Sequence, residues 1–302
     1  MKIGIAVDGS SQAIAGVELV AGLPLSARDD VAVVCVAEPA MLLAAAPFGH
    51  MPSVARFACS LAEMARYRAN QVVEHAAERL IGVPCRVTPI VREGHPVEML
   101  ERLVRERALD LLVIGPRGQG GVGSILLGSV SQALLQAMPT SVLVARPPVT
   151  TAKRVLLAVD GSEPSLEAAR FLASFPLPAE AEISVLVSVT AWTEEYSSIQ
   201  AADYISLLAA ERARAREIAQ RAIDTLAEHC RGAEPIVRDG DAKREILHGA
   251  RELDADLIVT GARGLGGFKG LILGSVSRAV SKAAPCSTLV VAGPRAPLPM
   301  RP

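Results

Sequence analysis

Short apolar runs alternate along the chain with longer stretches in which apolar residues recur every three or four positions, the signature of buried strands alternating with helices. Residues 2–7 form an apolar run that stops at Asp8-Gly9-Ser10, and Ile14, Val17, Leu19 and Val20 then take up helical spacing. A second run covers 31–36, followed by a long proline-containing connection over 38–53. The spacing over 55–80 predicts a helix that packs on a sheet through Leu61, Met64, Val72 and Leu80 and leaves Arg66, Arg68, Glu74 and Glu78 in solvent. A strand is expected over 84–91, a helix over 97–107, a strand over 110–114, a helix over 129–137 and a fifth strand over 141–145. Five strands alternating with four helices read as a doubly wound α/β domain with a parallel sheet.

The pattern then repeats. An apolar run over 154–159 leads into Asp160-Gly161-Ser162, as 2–7 leads into Asp8-Gly9-Ser10. Further strands are expected at 183–189, 256–260 and 287–291, with a long helix over 203–230; Pro235-Ile-Val-Arg-Asp-Gly240 mirrors Pro89-Ile-Val-Arg-Glu-Gly94. The expected organisation is two tandem domains, 1–147 and 154–293, joined by a linker over 148–153 and followed by a proline-rich tail, 294–302, expected to be disordered.

Each domain carries one glycine-rich loop between its fourth strand and the next helix. The first holds Gly115, Gly118, Gly128 and Ser129; the second holds Gly261, Gly264, Gly274 and Ser275 at the same spacing. Glycines let backbone N–H groups approach a phosphate that a Cβ would hold away, and a serine at a helix start adds a hydroxyl beside the positive helix end. The alternative is a flexible surface loop with a serine cap, and the second copy favours phosphate binding. In an open parallel sheet, ligands bind beyond the carboxyl ends of the strands where strand order reverses. If the first and fourth strands are neighbours, Asp8 and Gly115 open onto one crevice, and Asp160 and Gly261 onto another. A carboxylate there can accept from two ribose hydroxyls; the competing role is capping of the following helix.

Composition narrows the partners. The 302 residues carry 31 basic and 32 acidic side chains, and aromatics are 3% of the chain, so neither a basic footprint nor base-stacking platforms mark a nucleic-acid binder. Cys35, Cys59, Cys85, Cys230 and Cys286 are scattered without a C-x-x-C pair, which argues against a metal or redox motif. No stretch is long and apolar enough for a signal peptide core or a membrane span. A soluble cytoplasmic protein is expected.

Val-Asp-Gly-Ser after the first strand, with G-x2-G-x9-G-S after the fourth, resembles the universal stress protein family, here as a tandem of two domains covering 1–145 and 154–292. The resemblance implies Rossmann-like, adenine nucleotide α-hydrolase-like domains. Both loops carry the full pattern of the ATP-binding branch, which implies ATP in each half. It places Asp8 and Asp160 on the ribose, Gly115, Gly118, Gly128 and Ser129 on the phosphates of one site, and Gly261, Gly264, Gly274 and Ser275 on those of the other. It also places the strand ends near Val36 and Ser188 at the adenine. Ser131 and Ser277 are expected as extra phosphate donors. Pairing through the last strand, which would make the halves a pseudo-dimer, and homodimerisation are further implications. Arg117 and Arg263 lie inside the loops, where an arginine either neutralises phosphate or is simply solvated. Lys269 replaces Gly123 and Arg278 replaces Gln132, so the second site is expected to hold a triphosphate more tightly.

Hydrolysis is a different matter. The G-x-x-x-x-G-K-[ST] loop of P-loop enzymes is absent, and the fourth strands lead into Gly115 and Gly261 instead of an aspartate. Glu93, His95, Asp239 and Asp241 follow the third strands and are expected as turn and helix-start residues. His50, His75, His229 and His248 are spread singly through helices and connections. The expectation is an ATP-binding regulator with slow or no turnover and unidentified regulatory partners. The alternatives are a slow hydrolase or phosphotransferase, and a scaffold stabilised by nucleotide. Mg²⁺ could accompany a triphosphate, although the sequence shows no dedicated carboxylate cage for it.

Overall fold

The computed structural model describes residues 1–38, 52–118, 127–137, 139–148, 151–190, 201–226, 233–264 and 273–293, without the side chains of 52–55 and 201–204. The centres of both glycine loops, Lys269, His50, His229, Cys230, most of the 38–53 connection and the 294–302 tail therefore lie outside the described residues. The chain forms two compact units, Met1–Thr150 and Thr151–Pro302.

The first unit runs β1 (Lys2–Ala6), α1 (Ser11–Ala21), β2 (Asp30–Ala37), α2 (Pro52–Glu78), β3 (Arg86–Glu93), α3 (Pro96–Arg107), β4 (Leu111–Ile114), α4 (Ser129–Ala137) and β5 (Ser141–Val144). Its strands lie in the order β3-β2-β1-β4-β5, all parallel. β1 and β4 are thus neighbours, with Ile3 opposite Leu111 and Ile5 opposite Val113. The aliphatic runs are the core: Ile3, Ile5, Val31, Val33, Leu111, Leu112 and Val113 are fully buried. Parallel strands covered on both faces need such continuous apolar sequence.

The second unit repeats the plan with β6 (Arg154–Ala158), α5 (Glu163–Ser174), β7 (Glu182–Val189), α6 (Ala201–Leu226), β8 (Glu234–Asp239), α7 (Ala242–Glu252), β9 (Leu257–Gly261), α8 (Ser275–Ala283) and β10 (Ser287–Val291). Its order is β8-β7-β6-β9-β10, again parallel. Strand order therefore reverses between β1 and β4 in one unit and between β6 and β9 in the other. At the opposite end of the sheets, Asp110 and Asp256, expected inside the fourth strands, sit one residue before them. Their carboxylates accept from the backbone N–H of Lys2 at 2.8 Å and of Arg154 at 2.9 Å, tying each fourth strand to its first.

One expectation needs correction. The long helix α2 does not pack through Met64, which is 48% exposed; Ala69, Val73 and Ala76 form its buried face, and Leu80, just past its end, is buried as expected. The spacing of Ala69, Val73 and Ala76 follows a helical stripe, whereas small alanines make little mark in a hydrophobicity pattern. Arg66, Arg68, Glu74 and Glu78 are exposed as expected.

Candidate functional site

The site begins where β1 ends. Gly9 has φ +83°, a left-handed conformation that glycine adopts without strain, and this turns the chain sharply into α1. Ser10 then caps α1, its hydroxyl accepting from the N–H of Ala13 at 3.1 Å. Asp8 is therefore not the helix cap. Its Oδ1 accepts from the N–H of Ser10 at 2.9 Å, which orients the carboxylate. The second unit builds the same device: Gly161 has φ +81°, Ser162 caps α5, and Oδ1 of Asp160 accepts from the N–H of Ser162 at 3.0 Å.

The other carboxylate oxygen faces the glycine loop. A Cβ on Gly118 would lie well inside van der Waals contact distance of Asp8 Oδ2, and one on Gly264 would lie equally close to Asp160 Oδ2. Residues far apart in sequence thus meet in both units, and any side chain at the glycine would have to displace the carboxylate.

Gly115 and Gly261 line their clefts and also have a packing role. A Cβ on Gly115 would lie 3.0 Å from the backbone of Gln12 and Ala13, and one on Gly261 would lie 2.5 Å from the carbonyl oxygen of Pro164. These glycines let the end of the fourth strand pack directly against the first turn of the first helix. The loop then closes on itself through Gly128 N–H to the Pro116 carbonyl at 2.8 Å and Gly274 N–H to the Ala262 carbonyl at 2.7 Å.

Gly128 and Gly274 also start the next helix, accepting from Gln132 at 2.9 Å and Arg278 at 3.1 Å. A glycine cap has no side chain to satisfy the first-turn N–H groups, and Gly274 makes no side-chain cap bond. Ser129 and Ser275 are the first helical residues and are exposed at this positive helix end. Ser131 and Ser277 are buried, and their hydroxyls donate to the carbonyls of Gly115 at 2.8 Å and Gly261 at 2.6 Å. Expected as phosphate donors, they instead lock α4 and α8 to the strand ends, which aims each helix start into its cleft.

These elements enclose one cleft in each unit. The first, about 770 Å³, is lined by Asp8, Val36, Gly115, Arg117, Gly118, Gly128, Ser129 and Ser131, and the second, about 570 Å³, by Asp160, Ser188, Gly261, Arg263, Gly264, Gly274, Ser275 and Ser277. These residues, assigned to the sites from the sequence, thus line their own clefts, while Lys269 lies outside the described residues. Both volumes fall in the range typical of small-molecule sites. Val36 and Ser188 sit in equivalent places on β2 and β7, opposite Arg92 and Arg238 in register. Ser188 differs from Val36 in donating to the Gly240 carbonyl at 2.7 Å. Cys35 also lines the first cleft; burial pushes its thiol up to about 11, and the Asp8 carboxylate adds to the effect.

Pattern reading of the sequence missed Glu38, Pro96 and Leu100 in the first cleft and Ser165, Ala242, Ile246 and Thr260 in the second. The i, i+4 spacing of Pro96 with Leu100, and of Ala242 with Ile246, is the signal that would have found the helix wall. Conversely, Glu93 pairs with Arg66, Asp239 accepts from Arg212 Nε at 3.1 Å, and Asp241 caps α7; none of them lines either cleft.

Among the described residues, no helix is long and apolar enough to cross a membrane, and no group of His, Cys, Asp and Glu could hold a metal ion. A universal stress protein of Mycobacterium tuberculosis (strain H37Rv) is 31% identical over 252 residues, covering 76% of this chain and 74% of that protein. The Bacillus subtilis universal stress protein YxiE is 32% identical over 144 residues, 46% of this chain and 97% of its own length. A solved universal stress protein from Archaeoglobus fulgidus shares the fold with a TM-score of 0.63 at 20% identity, covering 97% of this chain and 96% of that one. The sequence profile described as Universal stress protein family matches residues 1–146 and again 151–292, and on that double match the chain belongs to the universal stress protein family.

Proposed function

We propose that this stress-response family member is an ATP-binding regulator with one nucleotide site in each unit and slow or no hydrolysis. The observation that carries the proposal is the duplicated contact of a strand-end carboxylate with the second glycine of the loop, beside a helix start that lacks a side-chain cap. Asp8 and Asp160 would accept from the ribose hydroxyls, since both line their clefts and a backbone N–H orients each carboxylate. The helix starts at Ser129 and Ser275 would take the phosphates. The apolar walls, Pro96 and Leu100 in one unit and Ala242 and Ile246 in the other, suit the face of a purine. Mg²⁺, if it enters, would come with the triphosphate and not on a protein carboxylate cluster.

Slow or absent turnover is part of the same proposal. Among their described residues the only carboxylates are Asp8, Glu38 and Asp160, and none of the lining residues is a histidine that could accept a proton from water. A homodimeric, cytoplasmic protein that signals to other proteins is part of the same proposal and is drawn from the family. The test is to purify the chain without added nucleotide, denature it and quantify released nucleotides by mass spectrometry. ATP approaching two per chain supports the regulator. Predominant ADP would replace it with a slow hydrolase, and absence of nucleotide at high recovery would favour a scaffold.

A further inference from the structure

Among their described lining residues the two clefts share a plan but not a charge. Two carboxylates, Asp8 and Glu38, and one guanidinium, Arg117, line the first; one carboxylate, Asp160, and two guanidiniums, Arg263 and Arg278, line the second. Among the described residues the difference arises at two places. Glu38 follows β2, and its counterpart after β7 is the neutral Thr190. Arg278 is the fourth residue of α8, and its counterpart in α4 is the neutral Gln132, which does not line the first cleft. Glu38 and Arg278 are both exposed, and neither is paired with another described residue, so their charges act on whatever enters.

Arg278 stands one helical turn beyond Ser275, at the end of the cleft where the helix start and the glycine loop meet. A guanidinium stays charged at any working pH and can fork onto phosphate oxygens. Each further phosphate on a nucleotide adds negative charge that Arg278 attracts and Glu38 repels. Resting on the nucleotide reading above, we infer that the C-terminal cleft is the triphosphate-selecting site, with Arg278 as the specificity-determining residue, whereas the N-terminal cleft takes adenine nucleotides with little regard to phosphate number. One chain then carries one site that follows ATP and one that follows the total adenine nucleotide pool.

The test uses full-length Gly118→Ala, which leaves only the C-terminal cleft open, and Gly264→Ala, which leaves only the N-terminal one, each titrated with ATP and AMP. The ATP-over-AMP preference of the C-terminal cleft should exceed that of the N-terminal cleft by about tenfold at low salt and shrink as salt rises, because both side chains are exposed. Arg278→Gln should weaken ATP by about fivefold and leave AMP unchanged, and Gln132→Arg should confer the preference on the first cleft. Equal preferences in the two clefts, or an Arg278→Gln loss shared equally by ATP and AMP, would overturn the inference. Should a glycine variant not fold, the unaltered chain provides the reading: two classes of ATP affinity with one class for AMP support the inference, and a single ATP class sinks it. Failure of any adenine nucleotide to bind either cleft would instead overturn the nucleotide reading itself.

Discussion

At the end of β4, the point where a Cβ on Gly115 would stand is 3.0 Å from the peptide joining Gln12 to Ala13; at the end of β9, the same point on Gly261 is 2.5 Å from the carbonyl oxygen of Pro164. The two clefts therefore repeat one design with unequal clearance. The N-terminal copy is the roomier, about 770 Å³ against 570 Å³. Among the described lining residues it is also the more acidic. What the two copies hold in common, the strand-end aspartate, the left-handed glycine, the serine cap and the locked second helix, is what a shared ligand requires. What they do not share lies around that frame, in Glu38, Arg278 and Ser188, and can tune each site separately.

The largest expected contrast is in packing. Gly261→Ala drives a methyl group into rigid backbone and should cost about 3 kcal/mol or more, whereas Gly115→Ala, with half an ångström more room, should cost about 1–2 kcal/mol. Urea unfolding of the full chain measures both, and equal losses would remove the difference in clearance. Next come the aspartates. Asp8→Ala and Asp160→Ala should each lower the affinity of their own cleft for ATP by about 1.5–3 kcal/mol, the range of hydrogen bonds to a charged group, and reduce its discrimination against 2′-deoxy-ATP. A loss at only one of them would show that the copies use their aspartates differently.

The serine locks should behave alike. Ser131→Ala and Ser277→Ala each leave a buried carbonyl without its donor and should destabilise by about 1–2 kcal/mol in both units. Ser188→Val should cost about 0.5–1.5 kcal/mol by removing the bond to Gly240, while Val36→Ser should not give an equal gain in the first unit. The smallest effect concerns pH. The hydrogen bond from Arg212 holds the Asp239 carboxyl below the usual carboxylate range. A depressed folded pKa stabilises above the unfolded value and is lost as pH falls through the folded one. Asp239→Asn should therefore slightly flatten the acid side of the stability profile, and an unchanged profile would show that the pair contributes nothing.

Much of this was legible in the chain because it is local. Strand runs, the Asp-Gly-Ser turns and the glycine spacings are short-range patterns that can be read without knowing which distant segments meet. The rest depends on contacts between distant segments. Nothing near Gly115 announces that Gln12 will pack against it, so its packing role is invisible in the sequence. Ser131 reads as a ligand donor until the Gly115 carbonyl is seen to occupy its proton. Helical spacing reads Met64 as inward, while the alanines on the buried face of α2 carry little hydrophobic signal. Glu38 stands just past a strand end, where sequence alone gives no direction.

The central claim, two nucleotide sites of one design, is tested most directly by ATP stoichiometry, measured by equilibrium dialysis on the full chain and on Gly118→Ala, Gly264→Ala and the double variant. The expected result is two ATP per chain, one in each single variant and none in the double. A stoichiometry that neither glycine substitution changes would place the nucleotide elsewhere and contradict the account.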